Sequence, residues 1–193
     1  KVYIIGSHRE LNKFFRLLGR PANPVRTLSV LGGSRIATYL GWAAERMGMK
    51  MKLVELNREK CLDLTDKLPS ALIIHGDGTD HNLLEAEEIL SADAFVSLTN
   101  RDEENLLMAL SAQRSGVKKV IAKMSRPNYI ELMRESGVDS IISPKDITAN
   151  QISAYARSLA NSEGSAVEHL YKLLGGAMEA VMFTANAATH FLN

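Results

Sequence analysis

VLGGSRIATYLG, residues Val30–Gly41, is the stretch whose reading decides the fold. Val30 and Leu31 close a short apolar run, two glycines make a turn, and the residues from Arg35 onward recur at helical spacing. A strand, a glycine turn and a helix start in this order form the layout of a dinucleotide-binding turn. The pattern G-x-G-x-x-G would run from Gly32 through Ser34 to Ala37. Gly32 permits the tight turn, and Gly33 keeps the backbone approachable. Ser34 sets a hydroxymethyl group where the second glycine would let a phosphate come close. Alanine at the third position is an accepted variant. Arg35 and Ile36 open the helix, whose free amides and dipole favour an anion. Taken by itself, the turn is explained equally well as strand–helix packing.

Working outward, the chain alternates. Apolar strands are predicted at Thr27–Leu31, Met51–Glu55, Ala71–His75, Ala94–Leu98, Val120–Lys123 and Ser140–Ile142. Helices are predicted between them at about 35–47, 58–68, 80–90, 101–115 and 127–136. Six short strands alternating with helices imply an α/β fold: a Rossmann-like, doubly wound parallel sheet covered on both faces. Ser143-Pro144-Lys145-Asp146 is a helix start, with serine as cap and proline in the first turn. That helix should run to about Ala160, with Ile147, Ile152, Tyr155 and Leu159 toward a core.

Three more segments fall where these strands end. Glu55 closes the second strand, 23 residues after Gly32. An acidic residue there accepts hydrogen bonds from ribose hydroxyls and disfavours a 2′-phosphate. It would otherwise cap the helix near Asn57 or face water. HGDGTD, His75–Asp80, shapes a loop at the same edge, and Asp77, Gly78 and Thr79 face that edge. Taken alone, a turn with Thr79 or Asp80 as cap of the helix at 80–90 accounts for it better. LTNRDEEN, Leu98–Asn105, follows the fourth strand. Asn100 suits a cap, and Asp102 and Glu103 suit a helix's positive end. Neither role requires Thr99 at the strand tip or Asn105 one turn inside the helix.

Composition narrows the function classes. The 193 residues carry a net charge of +1, which disfavours a nucleic-acid surface. Lys118-Lys119, the longest basic run, reads as a solvated pair. The single cysteine, Cys61, has no disulfide partner and suits a reducing cytosol. The longest apolar runs fall short of the roughly 18–20 residues that span a bilayer, and the start shows no secretory pattern. The eight methionines read as core filling.

A dehydrogenase needs a proton donor or acceptor beside the reacting carbon, and a second domain for its substrate. Of the five histidines only His75 and His81 lie near the ligand edge. His75 reads as partly buried, and His81 as a first-turn helix residue. Asp77, Asp80 and His81 form a weak candidate for a cation. The sequence contains no nucleophile elbow or metalloprotease motif. Three readings remain: a nucleotide-responsive regulatory module, a ligand-silent structural lobe, and the cofactor half of a dehydrogenase.

The ends of the chain read as pieces of neighbouring lobes. KVYIIG at the start is strand-like, and His8–Leu18 is a helix with Leu11, Phe14, Phe15 and Leu18 at spacings of three and four. Gly19–Pro24 is a linker. Asn161–Ser165 is a second one, and the apolar runs around Gly175-Gly176 suggest a hairpin that needs a partner surface. A helical reading serves the alanine-rich end nearly as well. With no initiator methionine, the chain reads as a segment of a longer protein.

Taken together, VLGGSRIATYL, LVELNREKCLDLTDKLPSALIIHGDGTD, ADAFVSLTNRDEENLLMALSAQRSGVKKVIAKM and GVDSIISPK resemble the RCK (or KTN) domain, over roughly residues 26–160. This family is the cytosolic nucleotide-sensing module of potassium channels and transporters. The resemblance implies a second nucleotide-binding lobe. Residues 1–19 would end a preceding small lobe and 20–25 would link to it. Residues 26–143 would form the nucleotide domain, 144–160 a crossover helix, and 161–193 the start of a following small lobe.

It further implies NAD(H) or ATP/ADP as cofactor, no catalysis, and a homo-oligomer, as a dimer or tetrameric ring. The assembly would gate a membrane potassium transporter or channel subunit of the TrkH type from the cytoplasmic side of the membrane. Neither nucleic-acid binding nor membrane insertion is implied. By the same resemblance Gly32, Ser34 and Arg35 face the phosphates, Glu55 holds the ribose, and Asp77 and Thr79 border the adenine. Thr99 and Lys123 lie nearer the distal half of the ligand. Gly33, Ile36, Gly78 and Asn100 complete the candidate binding set.

Overall fold

The computed structural model describes residue 4 and residues 7–19, 24–126, 128–129, 138, 140–160, 167–173 and 178–183. The chain divides into two compact units. The first is Lys1–Ala122 with Val138–Ser140, and the second is Lys123–Gly137 with Ile141–Asn193.

Six strands form one sheet: β1 (Thr27–Leu31), β2 (Lys50–Glu55), β3 (Ala71–His75), β4 (Ala94–Ser97), β5 (Lys119–Lys123) and β6 (Ser140–Ile142). Their spatial order is β3-β2-β1-β4-β5-β6. Pairings β1–β2, β1–β4, β2–β3 and β4–β5 are parallel. This is the doubly wound fold expected from the alternation. In the centre, Leu28 to Leu31 and all of β4 are buried, as expected when helices cover both faces of a parallel sheet. Leu28, Val30, Leu53, Val96 and Leu98 pack with Ala37, Ala44, Leu64 and Leu68 of the covering helices. Each such buried aliphatic side chain stabilises the fold by about 1.5–3 kcal/mol.

The helices of this unit are α1 (His8–Leu17), α2 (Arg35–Arg46), α3 (Arg58–Lys67), α4 (His81–Ala86) and α5 (Asp102–Arg114). Their starts follow capping chemistry. Ser34, Asn57 and Asp80 each accept a backbone N–H from the first turn of α2, α3 and α4. The single helix expected at 80–90 is instead α4 followed by a 3-10 turn at Ile89–Ser91. Glu88 causes the break: it sits at φ 50°, in the left-handed region. Apolar residues continue across the break, so periodicity carried the expectation past it.

Two other expectations need correction. Ile147, Ile152 and Tyr155 of α6 (Pro144–Ala160) are 48–66% exposed rather than turned to a core. Their spacings of five and three do not repeat as one continuous seam. The side chain of Leu159 is outside the described set. His75 is exposed, with Nε2 3.1 Å from the Leu56 carbonyl oxygen, because the edge strand β3 leaves its tip open. The strand expected at residues 1–6, apart from Ile4, lies outside the described residues, as does the helix at 127–136 apart from 128–129. In the second unit, Ser143 caps α6 at 3.4 Å from the Asp146 amide. There β7 (Val167–Leu173) and β8 (Met178–Phe183) pair antiparallel.

The amino-terminal rim of the sheet is clipped by one side chain. Asp93 Oδ2 accepts the backbone N–H of Arg26 at 2.9 Å and of Thr27 at 3.0 Å, and the Thr27 hydroxyl at 3.0 Å. The Asp93 amide donates back to Thr27 Oγ1 at 2.9 Å. These donors hold the Asp93 carboxyl below the usual carboxylate range, and Lys118 adds to the effect. A carboxyl depressed by folding stabilises the native state above its unfolded value, about 3.9, and loses that contribution as pH falls through the folded value. Asp93→Ala should therefore lower Tm at neutral pH. The gap to wild type should close as thermal unfolding is followed to progressively lower pH below about 4.

Candidate functional site

The strand order reverses between β1 and β4, and the loops leaving their carboxyl ends diverge there. In an open parallel sheet such a point is where ligands bind. A cavity of about 240 Å³ lies at this point. It is walled by the turn after β1, the ends of β2 and β4, the loop after β3, and the first turns of α3 and α5.

The floor is made by backbone. Strand pairing continues past the strand ends: Gly32 N–H donates to Val54 O at 2.9 Å, and Leu98 N–H to Leu31 O at 2.7 Å. Gly32 has φ +92°, and a Cβ there would stand 2.9 Å from Thr99 N. Conformation and crowding thus both demand glycine. At Gly33 a Cβ would collide with Leu64 Cδ1 and lie 3.0 Å from Glu55 Oε2.

Glu55 closes the wall of the cavity. It is 9% exposed, and its two oxygens are divided. Oε2 accepts the Gly33 amide at 2.6 Å, and Oε1 accepts the Asn57 amide at 2.8 Å. Neither capping nor simple solvent exposure describes it, since Asn57 is the cap of α3. A carboxylate has about four acceptor positions, so two remain for further donors. Behind it, the Cys61 thiol donates to Glu55 O at 3.3 Å. Burial, then the Glu55 charge, pushes the Cys61 thiol pKa up.

Ser34 Oγ accepts the Ala37 amide at 3.4 Å, so the hydroxymethyl group serves as helix cap and is held in the turn. The loop after β3 folds on Asp77. Its Oδ1 accepts the Thr79 amide at 2.8 Å and the Thr79 hydroxyl at 2.7 Å. Both bonds hold the Asp77 carboxyl below its ordinary range, and the nearby Arg101 charge adds to this. Asp80 is occupied with the Asn82 amide at 2.9 Å, so the Asp77–Asp80–His81 cation site gains no support.

The loop after β4 is pinned by Asn105. Its Oδ1 accepts the Thr99 amide at 3.0 Å and the Thr99 hydroxyl at 2.9 Å, while Nδ2 donates to Thr99 O at 3.1 Å. Ser97 Oγ donates to Asn105 O at 3.1 Å. Asn100 is not the helix cap. Arg101 holds that position, with no side-chain cap bond, because Thr99 Oγ1 takes the Arg101 amide at 3.2 Å.

Of the twelve candidate residues, Gly32, Gly33, Ser34, Glu55, Asp77, Gly78, Thr79, Thr99 and Asn100 line the cavity together. Arg35 and Ile36 sit exposed on the first turn of α2 and do not line it. Lys123 is buried at the end of β5, in the second unit, and is not in the lining either. Sequence reasoning missed Leu56, Lys60, Arg101, Glu104 and Met108. A signal existed for two of these. Lys60 and Glu104 are each three residues past a cap, Asn57 and Arg101, and in both helices that position faces the cavity. Among the described residues, no histidine or cysteine lines the cavity, and its Ser and Thr hydroxyls bond to protein groups.

Residues 28–144 match the TrkA-N domain. The chain belongs to the TrkA-N domain family. Among curated relatives, it is 30% identical over 184 residues to a Trk system potassium uptake protein TrkA homolog 2 of Methanosarcina mazei. That alignment covers 95% of this chain and 40% of the relative. It is 31% identical to the Trk system potassium uptake protein TrkA of Halomonas elongata, over 98% of this chain and 40% of the relative. The chain thus spans about two fifths of the length of these relatives. Among solved structures, the GsuK channel bound to NAD matches with TM-score 0.61 and 19% identity, over 86% of this chain and 30% of that one. The TrkA-N domain of the inner membrane protein ybaL from Escherichia coli matches with TM-score 0.60 and 12% identity. That match covers 69% of this chain and 98% of the other. Both likenesses concern the fold.

The turn itself can be tested through stability. Gly32→Ala should cost about 1–3 kcal/mol in urea unfolding, from strained φ and contact with the β4 tip. Gly48→Ala, at φ +69° with open space around it, should cost only about 1 kcal/mol.

Proposed function

We propose that this TrkA-N chain is the nucleotide-sensing lobe of a cytoplasmic regulatory subunit of a potassium-uptake system, and that it carries out no catalysis. One observation supports the reading above the others. The glycine turn, Glu55, the Asp77–Thr79 loop and Thr99 share one cavity at the switch point of the sheet. That is where a doubly wound fold presents a nucleotide to its acidic ribose contact and its helix amides. The candidate ligands are NAD(H) and ATP or ADP.

The proposed mechanism uses the cavity as a bridge. A nucleotide spanning the loops after β1 and β4 would prefer one arrangement of those loops, and so one angle between neighbouring lobes of an oligomer. Such a ligand shifts the equilibrium only by its difference in affinity for the two arrangements. The exposed Ile147, Ile152 and Tyr155 suit α6 to link one lobe to the next, with residues 1–19 and 161–193 as parts of flanking small lobes. The membrane partner would be a potassium transporter or channel subunit, approached from the cytoplasmic side. No described helix is long and apolar enough to cross a membrane.

A ligand-silent scaffold is the second reading, and one observation favours it. The polar groups of Ser34, Glu55, Asp77 and Thr99 bond to protein partners and hold the loops by themselves. Calorimetric titration with NAD⁺, NADH, ATP and ADP separates the two. The sensor reading expects saturable binding to at least one ligand, weakened about tenfold or more by Glu55→Ala. Glu55→Gln, which keeps the shape and an acceptor oxygen, should weaken it less. Heat from none of the four ligands would leave the scaffold reading standing.

A further inference from the structure

We propose that Arg101 is a specificity-determining residue of this cavity, a switchable guanidinium that favours ligands ending in a free terminal phosphate group. The proposal rests on the nucleotide-binding reading above and names the part of the ligand that this chain distinguishes.

The argument starts from the backbone. Arg101 is fixed at its root: its amide donates to Thr99 Oγ1 at 3.2 Å, and Thr99 is itself clamped by Asn105. The side chain beyond that root is 76% exposed and therefore has room to turn. Its present partner is Glu104, one turn along α5, at 2.6 Å. Arg101 and Glu104, at the start of α5, and Asp77, on the loop after β3, all line the cavity, from opposite sides of the switch point. The charged lining is thus Glu55, Asp77 and Glu104 against Lys60 and Arg101, with a net charge of −1.

That balance is poor for an anion unless a cation can be redirected to it. Lys60 is a point charge, whereas a guanidinium can meet two oxygens at once. Glu104 competes for it, and the Asp77 carboxylate lies within its electrostatic reach. A ligand must therefore offer more than a carboxylate does. A terminal phosphate, substituted through only one oxygen, carries nearly two charges and three acceptor oxygens at neutral pH. Each phosphate of a dinucleotide's internal bridge is doubly substituted, by one ester and one anhydride bond, and carries a single charge. Arg101 should thus discriminate ADP from adenosine strongly, and from NAD⁺ in the same direction.

The test is a calorimetric comparison of adenosine, ADP and NAD⁺ on the full chain, with Tm recorded for every variant. In Arg101→Gln the ratio of ADP to adenosine affinity should fall about tenfold or more, with adenosine affinity nearly constant. Arg101→Lys should recover part of the ratio. Glu104→Gln, which removes the competing carboxylate, should shift ADP affinity the opposite way, by a few-fold. Wild type that binds both ligands at a ratio unmoved by Arg101→Gln overturns the role of Arg101 and leaves nucleotide binding intact. Wild type that binds no adenine ligand removes both.

Discussion

The 2.6 Å hydrogen bond from the Gly33 amide to Glu55 Oε2 is the interaction on which the site depends. It ties the turn after β1 to the end of β2. The other oxygen of the same carboxylate reaches the Asn57 amide, so one buried group sets the start of two βα connections. A buried carboxylate is costly unless donors surround it. Here the donors are backbone amides at helix starts, which carry partial positive charge. The cost of burying Glu55 is therefore met locally, and the geometry of the cavity follows from that.

The fold was legible because its signal is redundant. Thr27–Leu31, Ala71–His75 and Ser140–Ile142 were readable to the residue, since each apolar run is bounded by turn or cap chemistry. Caps at Asp80 and Ser143 have the same origin, a short polar side chain before a periodic run. Glu88 was not legible: a left-handed residue between two apolar stretches leaves no mark in periodicity. The exposed face of α6 shows the complementary failure, because apolar residues on a helix say that something covers them and not what.

Less of the site was readable. Sequence spacing located its backbone, Glu55 and Asp77, because glycines and strand-end carboxylates have few other reasons to stand where they do. It did not locate the cations. Lys60 and Arg101 are charged residues at helix starts, and such residues read as a solvated face. The cap of α5 was misplaced for a related reason. Asn100 has the right chemistry, but the Asn105–Thr99 clamp one turn away settles the loop first. A side-chain bond across six residues overrode the preference of a single cap position.

The two rims of the sheet are fastened in different ways. At the amino-terminal rim, Asp93 binds β1 through groups that have no other task. At the carboxyl rim, the fastening group, Glu55, also lines the cavity. The Gly33 amide is therefore a natural reporter. Its exchange with deuterated solvent should track how firmly Glu55 holds the turn, while the amides of Arg26 and Thr27 serve as an internal standard in the same molecule.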